Sequence, residues 1–215
     1  MKITEGYEGA ERILPSGAMA ELAGLNRDYL DLLIAAPTGE SASLPPAVLD
    51  GLRRASPLAL DAMSACSYSL FLIEARHVTA VDNPAPHGVH DPVAKRYGSG
   101  MLDGGAWPSF TMAALSFAWQ LCRQNAMSAR VMLGFPEETA VALAATDLWR
   151  LRSIAARQVL PLQPRWSGNP CFWPDLLRSA FALDPLRLDL ARLLGVQLQA
   201  ADLHASPTGR ERRRG

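Results

Sequence analysis

The hydrophobic and polar positions of this chain recur mainly with the period of an α-helix. Behind Asn26, a residue type that commonly caps helices, apolar side chains return every three or four residues, which predicts a helix over residues 27–36. Two more helices are predicted at Pro46 and Pro57, because a first turn tolerates the missing backbone N–H. The second of these, with Ser56 as its cap, opens a long apolar run with many small residues, which favours burial on several sides.

Helical periodicity resumes after a segment rich in proline and glycine. Residues 79–106 are rich in proline and glycine and predict a long loop or linker. A helix is then predicted over residues 109–127. Gly134 ends one element, and Pro136, followed by two glutamates that complement a positive helix end, begins the next.

Two short helices are predicted to follow, one ending near residue 145 and one near residue 158. Asp184 and Pro185 supply the cap and first turn of a last helix. Strand-like alternation is confined to the segment QVLPLQPRW. The basic tail, residues 206–215, has too few apolar residues to offset the entropy of ordering and is expected to be disordered.

These elements predict an all-α fold, a helical bundle in two halves joined by the long Pro/Gly-rich loop. The first half covers residues 1–78, the loop 79–106 and the second half 107–205, with the tail at 206–215. The two short helices of the second half form a pair that resembles a helix-turn-helix unit.

Charge and cysteine content narrow the function classes. Lysine plus arginine and aspartate plus glutamate both number 21, so any contact with nucleic acid must come from a local patch rather than from the overall field. Three widely spaced cysteines favour neither a disulfide framework nor a structural zinc site, and fit a reducing cytoplasm. The opening residues show no signal-peptide run and no window has the length of a membrane span, so a soluble cytoplasmic protein is expected.

Catalytic and metal-binding motifs are weak. The loop segment HGVHD, with His87, His90 and Asp91, is the one clustering of metal-capable ligands, and His77 precedes it. A proline- and glycine-rich loop does not preorganise ligands, so we predict no metal and no cofactor. The motifs GxSxG, HExxH and a phosphate-binding glycine loop are all missing from the sequence, and we expect no enzyme.

Arginines are concentrated in and after the second short helix. Between residues 147 and 166 the sequence has one aspartate and four arginines, namely Arg150, Arg152, Arg157 and Arg165. On a helix-turn-helix unit they would neutralise phosphates, which makes them the candidate DNA-binding residues. On an ordinary amphipathic helix they would form only the solvated side, and that alternative stays open.

Residues 116–166, about a quarter of the chain, resemble the D subunit of the flagellar master transcriptional activator, the FlhD family. The similarity runs without a gap through Leu-Gly, Glu-Glu and Leu-Ala-Ala, and does not extend to the amino-terminal hundred residues. The matching positions are Ala118, Leu121, Gln124, Ser128, Ala129, Leu133, Gly134, Glu137, Glu138, Ala140, Leu143, Ala144, Ala145, Leu148, Ala155, Leu160, Arg165 and Trp166.

The resemblance implies a bacterial regulator of transcription that acts as a homodimer or higher oligomer, together with a partner protein that carries a zinc site and much of the DNA contact. Self-association is then expected through these helices, without the cysteine cross-link of the family, since Leu162 occupies that position. The residues expected at the interface are Trp119, Leu121, Leu133, Leu143, Leu148 and Trp149.

A helical adaptor between proteins, for example in secretion or motility machinery, is the competing hypothesis. It requires no nucleic acid. Zero net charge and several tryptophans favour it, because tryptophan and arginine anchor protein interfaces. A metal enzyme built on His87 and His90 is a third hypothesis, which only stoichiometric metal in the purified protein would revive.

Overall fold

The computed structural model describes residues 17–36, 44–73, 105–157 and 162–205. Within these ranges the chain forms nine helices and one sheet of two short strands, so the all-α prediction is confirmed. In chain order the elements are α1 (Ala18–Ala35), α2 (Pro46–Arg54), α3 (Pro57–Ser64), β1 (Phe71–Leu72), α4 (Ala106–Gln124), α5 (Ala126–Leu133), α6 (Glu137–Ala144), α7 (Leu148–Arg157), β2 (Gln163–Pro164), α8 (Phe172–Ala182) and α9 (Pro185–Ala205).

Local sequence determines several of the helix ends. The hydroxyl of Ser56 accepts a hydrogen bond from the backbone N–H of Ala59 at 3.2 Å and caps α3 as predicted. Gly134 ends α5 with a left-handed φ of 76°, a conformation that glycine adopts without steric cost. The Asp184 carboxylate accepts from the backbone N–H groups of Leu186 and Arg187, and so caps α9.

Asn26 does not cap a helix, because α1 begins nine residues earlier than predicted, at Ala18. Asn26 lies inside the helix with its side chain fully buried. Its amide donates to the carbonyl oxygens of Ser64 and Tyr68, and its oxygen accepts from the backbone N–H of Leu70. The side chain therefore ties α1 to the segment that follows α3.

The predicted helix over residues 109–127 is two helices. Asn125 is extended, with φ −159° and ψ 100°, and its side chain accepts from the N–H of Ser128, so it ends α4 and caps α5. The apolar run after Pro57 is likewise not one helix. It leaves the helix after Ser64 and continues into β1, which pairs antiparallel with β2.

The two predicted halves share one hydrophobic core. Tyr29 of α1 packs its ring against Phe71, Trp107 and Phe110, and its hydroxyl donates to the carbonyl of Leu162 at 2.8 Å. Helix α1 packs on α4, and α2 and α3 pack on α8. Residues before and after the proline-rich loop therefore form a single packing unit, while most of that loop lies outside the described residues. No described helix combines the length and apolar character of a membrane span.

Candidate docking surfaces

The turn between α6 and α7 is held by side chains. The indole N–H of Trp119, on α4, donates to the carbonyl oxygen of Thr146 at 2.7 Å. The Thr146 hydroxyl donates to the carbonyl of Ala142 at 2.8 Å. The backbone N–H of Arg150 donates to the carbonyl of Asp147 at 2.9 Å and starts α7. Since α6 and α7 also pack on α4, this anchored turn fixes the direction in which α7 presents its outer side.

The outer side of α7 combines large apolar groups with arginines. Leu148 and Trp149 are 52% and 64% exposed, and Arg152 is also exposed. Arg150 is half-buried, with its guanidinium carbon 5.5 Å from the centre of the Trp149 ring. We call these four residues the α7 face. Leu151 and Ile154, by contrast, point into the core.

Arg123, which was not among the predicted site residues, adds a further charge beside the α7 face. Its guanidinium carbon lies 4.8 Å from the centre of the Trp119 ring, and Trp119 itself is bonded to the α6–α7 turn. The pattern that could have identified it is the spacing of four residues between Trp119 and Arg123, which places the two side chains together on a helix. Among the described carboxylates, none forms an ion pair with Arg123 or Arg152.

Arg165 does not belong to this cationic surface, and its prediction as an exposed DNA contact is wrong. Its side chain is only 4% exposed. The guanidinium donates to the Gln199 side-chain oxygen and to the Asp202 carboxylate, the latter at 3.2 Å, and stacks 4.2 Å from the centre of the Trp166 ring. Arg165 therefore fastens α9 to the rest of the protein.

The surroundings of Arg165 are built for this role. Burial lowers the pKa of its guanidinium to about 10, which leaves it charged at neutral pH, and the attraction of Asp202 opposes that shift. A Cβ at Gly134 would lie 2.6 Å from a guanidinium nitrogen, so any larger residue there would displace the Arg165 side chain. Asp202 also accepts from the Trp166 indole N–H at 2.8 Å. Arg157 ends α7, but its side chain lies outside the described residues.

Three of the predicted interface residues are core residues instead. Leu121, Leu133 and Leu143, which the resemblance implied at the interface, are at most 2% exposed, because α4, α5 and α6 pack on one another. They cannot contact a second molecule without unfolding. Trp119 is partly buried at the α6–α7 turn, so only Leu148 and Trp149 of the predicted set present most of their surface to solvent.

A second exposed surface lies on α9 and was not predicted. It consists of Leu186, Leu190, Leu193 and Val196, with Leu183 in the turn before the helix, and we call it the α9 row. Leu190 also borders a shallow groove of about 240 Å³ between α8 and α9.

Within the described ranges no three histidine, cysteine or acidic side chains are placed to hold a metal ion. His77, His87, His90 and Asp91, the candidate ligands from the sequence, fall outside those ranges.

No family model, curated protein or solved structure matches this chain.

Proposed function

We propose that this protein is a bacterial transcriptional regulator or co-regulator that resembles FlhD and acts as a helical oligomer with a partner protein at promoters. The observation that carries the proposal is the α7 face: an arginine-bearing helix side held outward by an anchored turn, within the run that resembles FlhD. Its expected role is to bring phosphate contacts and an apolar docking point together on one rigid surface.

The run that resembles FlhD corresponds to a connected part of the fold. Leu133 and Gly134 end α5, Glu137 and Glu138 form the first turn of α6, and Leu143 packs in the core. Each residue type therefore has a structural reason to be where the resemblance has it: a left-handed glycine, carboxylates at a positive helix end and a buried leucine. This supports a shared architecture for the run.

Phosphate contact is the role we assign to Arg150 and Arg152 on the α7 face and to Arg123 beside it. Guanidinium groups bind phosphate oxygens in pairs of hydrogen bonds and need no particular base sequence to do so. Leu148 and Trp149 are apolar and lie on the same face, so we assign them to the partner protein, which would supply most of the sequence recognition. Binding by this chain alone would then be weak and dependent on salt.

A double substitution on the α7 face tests this assignment. The protein with Arg150→Ala and Arg152→Ala is titrated against a fluorescent promoter duplex at several salt concentrations, and the anisotropy gives log K against log salt. We expect the negative slope to become shallower by about 0.9 for each phosphate contact removed, or roughly 2 in total. The matched control is Arg53→Ala with Arg54→Ala, which removes the same two charges from α2. Equal slopes for both double variants, or no binding by the wild type at low salt with candidate partners present, would refute the proposal.

A helical protein adaptor without DNA contact is the second candidate. The exposure of Trp149 favours it, because a tryptophan beside arginines is typical of the energetic centre of protein interfaces. The discriminating experiment compares complexes isolated before and after nuclease digestion. A complex that survives digestion but is lost with Trp149→Ala supports the adaptor, whereas a complex that disappears on digestion supports the regulator.

A further inference from the structure

The α9 row is large enough to be an interface. Its members Leu186 and Leu190 are 71% and 58% exposed, and the row recurs at the spacing of one side of a helix. Five side chains near half exposure present on the order of 400 Å² of apolar surface, a size at which patches on monomers are often functional. With Arg187 and Asp189 beside them, each about two thirds exposed, the face reaches roughly 600 Å² per copy, or about 1,200 Å² in a symmetric pair, which is the lower end of the range for stable interfaces.

The row is nearly symmetric about its own centre, Leu190. Leu186 lies four residues before Leu190 and Leu193 three residues after it, while Leu183 lies seven before and Val196 six after. A two-fold axis at Leu190 therefore places Leu186 of one copy close to Leu193 of the other. Two-fold contacts use the same patch on both subunits, so a symmetric apolar row is self-complementary.

The charges along the row are already balanced within one copy. Asp184 pairs with Arg187 at 3.2 Å, and Asp189 pairs with Arg192 at 3.3 Å. A strongly acidic or basic partner would therefore find no field of opposite sign there, whereas a second identical copy meets no net repulsion.

We propose that the α9 row is the surface through which two copies of this chain associate, with their α9 helices antiparallel and Leu190 at the two-fold axis. This replaces the predicted self-association through α4 to α7, where three of the four predicted leucines, Leu121, Leu133 and Leu143, are buried. The proposal names the interface of the helical oligomer in the proposed function. It depends on the existence of that oligomer and not on DNA binding. Loss of duplex binding would leave it intact.

The mass of the protein in solution tests the surface. In sedimentation equilibrium the wild type is expected to show twice the chain mass of 23.2 kDa, and the variant with Leu190→Glu and Leu193→Glu the mass of one chain, with an unchanged helical circular dichroism spectrum. The matched control, Leu148→Glu, alters an equally exposed leucine on the α7 face and is expected to remain a dimer. A single-chain mass for the wild type, as expected if another segment of the same chain covers the row, would overturn the proposal. So would a dimer that persists in the α9 variant.

Cysteine cross-linking tests the antiparallel arrangement independently. In a Cys171→Ser background, which removes the exposed native thiol, Leu190→Cys is expected to form a disulfide with itself across the axis on mild oxidation. Val196→Cys is expected not to, because six residues on each side of the axis separate the two copies by about 18 Å along the helices. Cross-linking of Val196→Cys but not of Leu190→Cys would exclude this register.

Discussion

Replacing Asn26 by alanine distinguishes a buried tertiary contact from an ordinary helix cap. The Asn26 side chain is 0% exposed and makes three hydrogen bonds, at 3.1 Å to the Ser64 carbonyl, 3.0 Å to the Tyr68 carbonyl and 2.8 Å from the Leu70 N–H. Alanine leaves these three backbone groups without their partner. A buried polar group without a hydrogen bond costs about 1–3 kcal/mol.

Three such groups, each taken in the lower half of that range, give an expected loss of about 3–5 kcal/mol after the few tenths that alanine recovers as a better helix former. Against a typical stability of about 5–15 kcal/mol, this is a large fraction of the total. If Asn26 were only a helix cap, its replacement by alanine would lower the free energy of unfolding by only about 1 kcal/mol. The size of the effect therefore separates the two interpretations of Asn26.

Urea unfolding followed by far-ultraviolet circular dichroism provides the measurement. With an m value of about 2 kcal/mol/M, the midpoint of Asn26→Ala is expected to fall by roughly 1.5–2.5 M relative to the wild type. Gln120→Ala, an exposed amide on α4, is the control and is expected to stay within about 0.5 kcal/mol. If the two variants unfold at the same urea concentration, the contact from Asn26 to the segment after α3 contributes nothing and the reasoning is wrong.

Three other outcomes follow from the structure. Gly134→Ala is expected to lose about 2–3 kcal/mol in the same urea experiment, because its φ of 76° is unfavourable for alanine and its Cβ would press on Arg165. In the native protein at pH 8, iodoacetamide is expected to modify Cys171 alone, since burial raises the pKa of Cys66 to about 11 and that of Cys122 to about 12. The free energy of unfolding is expected to fall as the pH rises above 9, where the unfolded chain ionises these two thiols and the folded chain does not.

Each of these outcomes has a control. Gly168→Ala introduces a Cβ with nothing within 4 Å, and this variant is expected to unfold at the same urea concentration as the wild type. Mass spectrometry should find three modified cysteines after unfolding, and more than one in the native protein would show that the buried thiols are accessible. The variant with Cys66→Ala and Cys122→Ala should lose most of this dependence between pH 9 and 10, below the ordinary pKa of 10.0 of the buried Tyr29 and Tyr68. An unchanged profile in that interval would assign the dependence to other groups.

The features that the sequence predicts well are those determined by neighbouring residues. Ser56 before Pro57, and Gly134 before Pro136, identify helix ends because caps, prolines and left-handed glycines act within one turn. Asn26 shows the limit of this reasoning. Its local sequence suits a cap, but its partners are 38 to 44 residues away, and no periodicity along the chain identifies them.

The candidate surfaces were harder to predict for a related reason. Arg165 appears in the sequence as part of an arginine cluster, and its burial depends on Gln199 and Asp202, more than thirty residues later. Leucines occur on both sides of α9, so the sequence alone does not tell which side is covered. The charge pattern did place Arg150 and Arg152 on one helix, but their exposure depends on the packing of α7 on α4.

The covered side of α9 is determined by a contact that allows no side chain. Gly195 faces the Tyr68 ring so closely that any Cβ would collide with the phenol, and the Tyr68 hydroxyl donates to the carbonyl of Arg192 one turn earlier. This contact sets the rotation of the whole helix. A single residue inserted between Leu193 and Gly195 would turn the preceding part of α9 by about 100° relative to its anchor. The leucines before the insertion would then no longer lie opposite the anchored side, even though the composition of the helix had hardly changed.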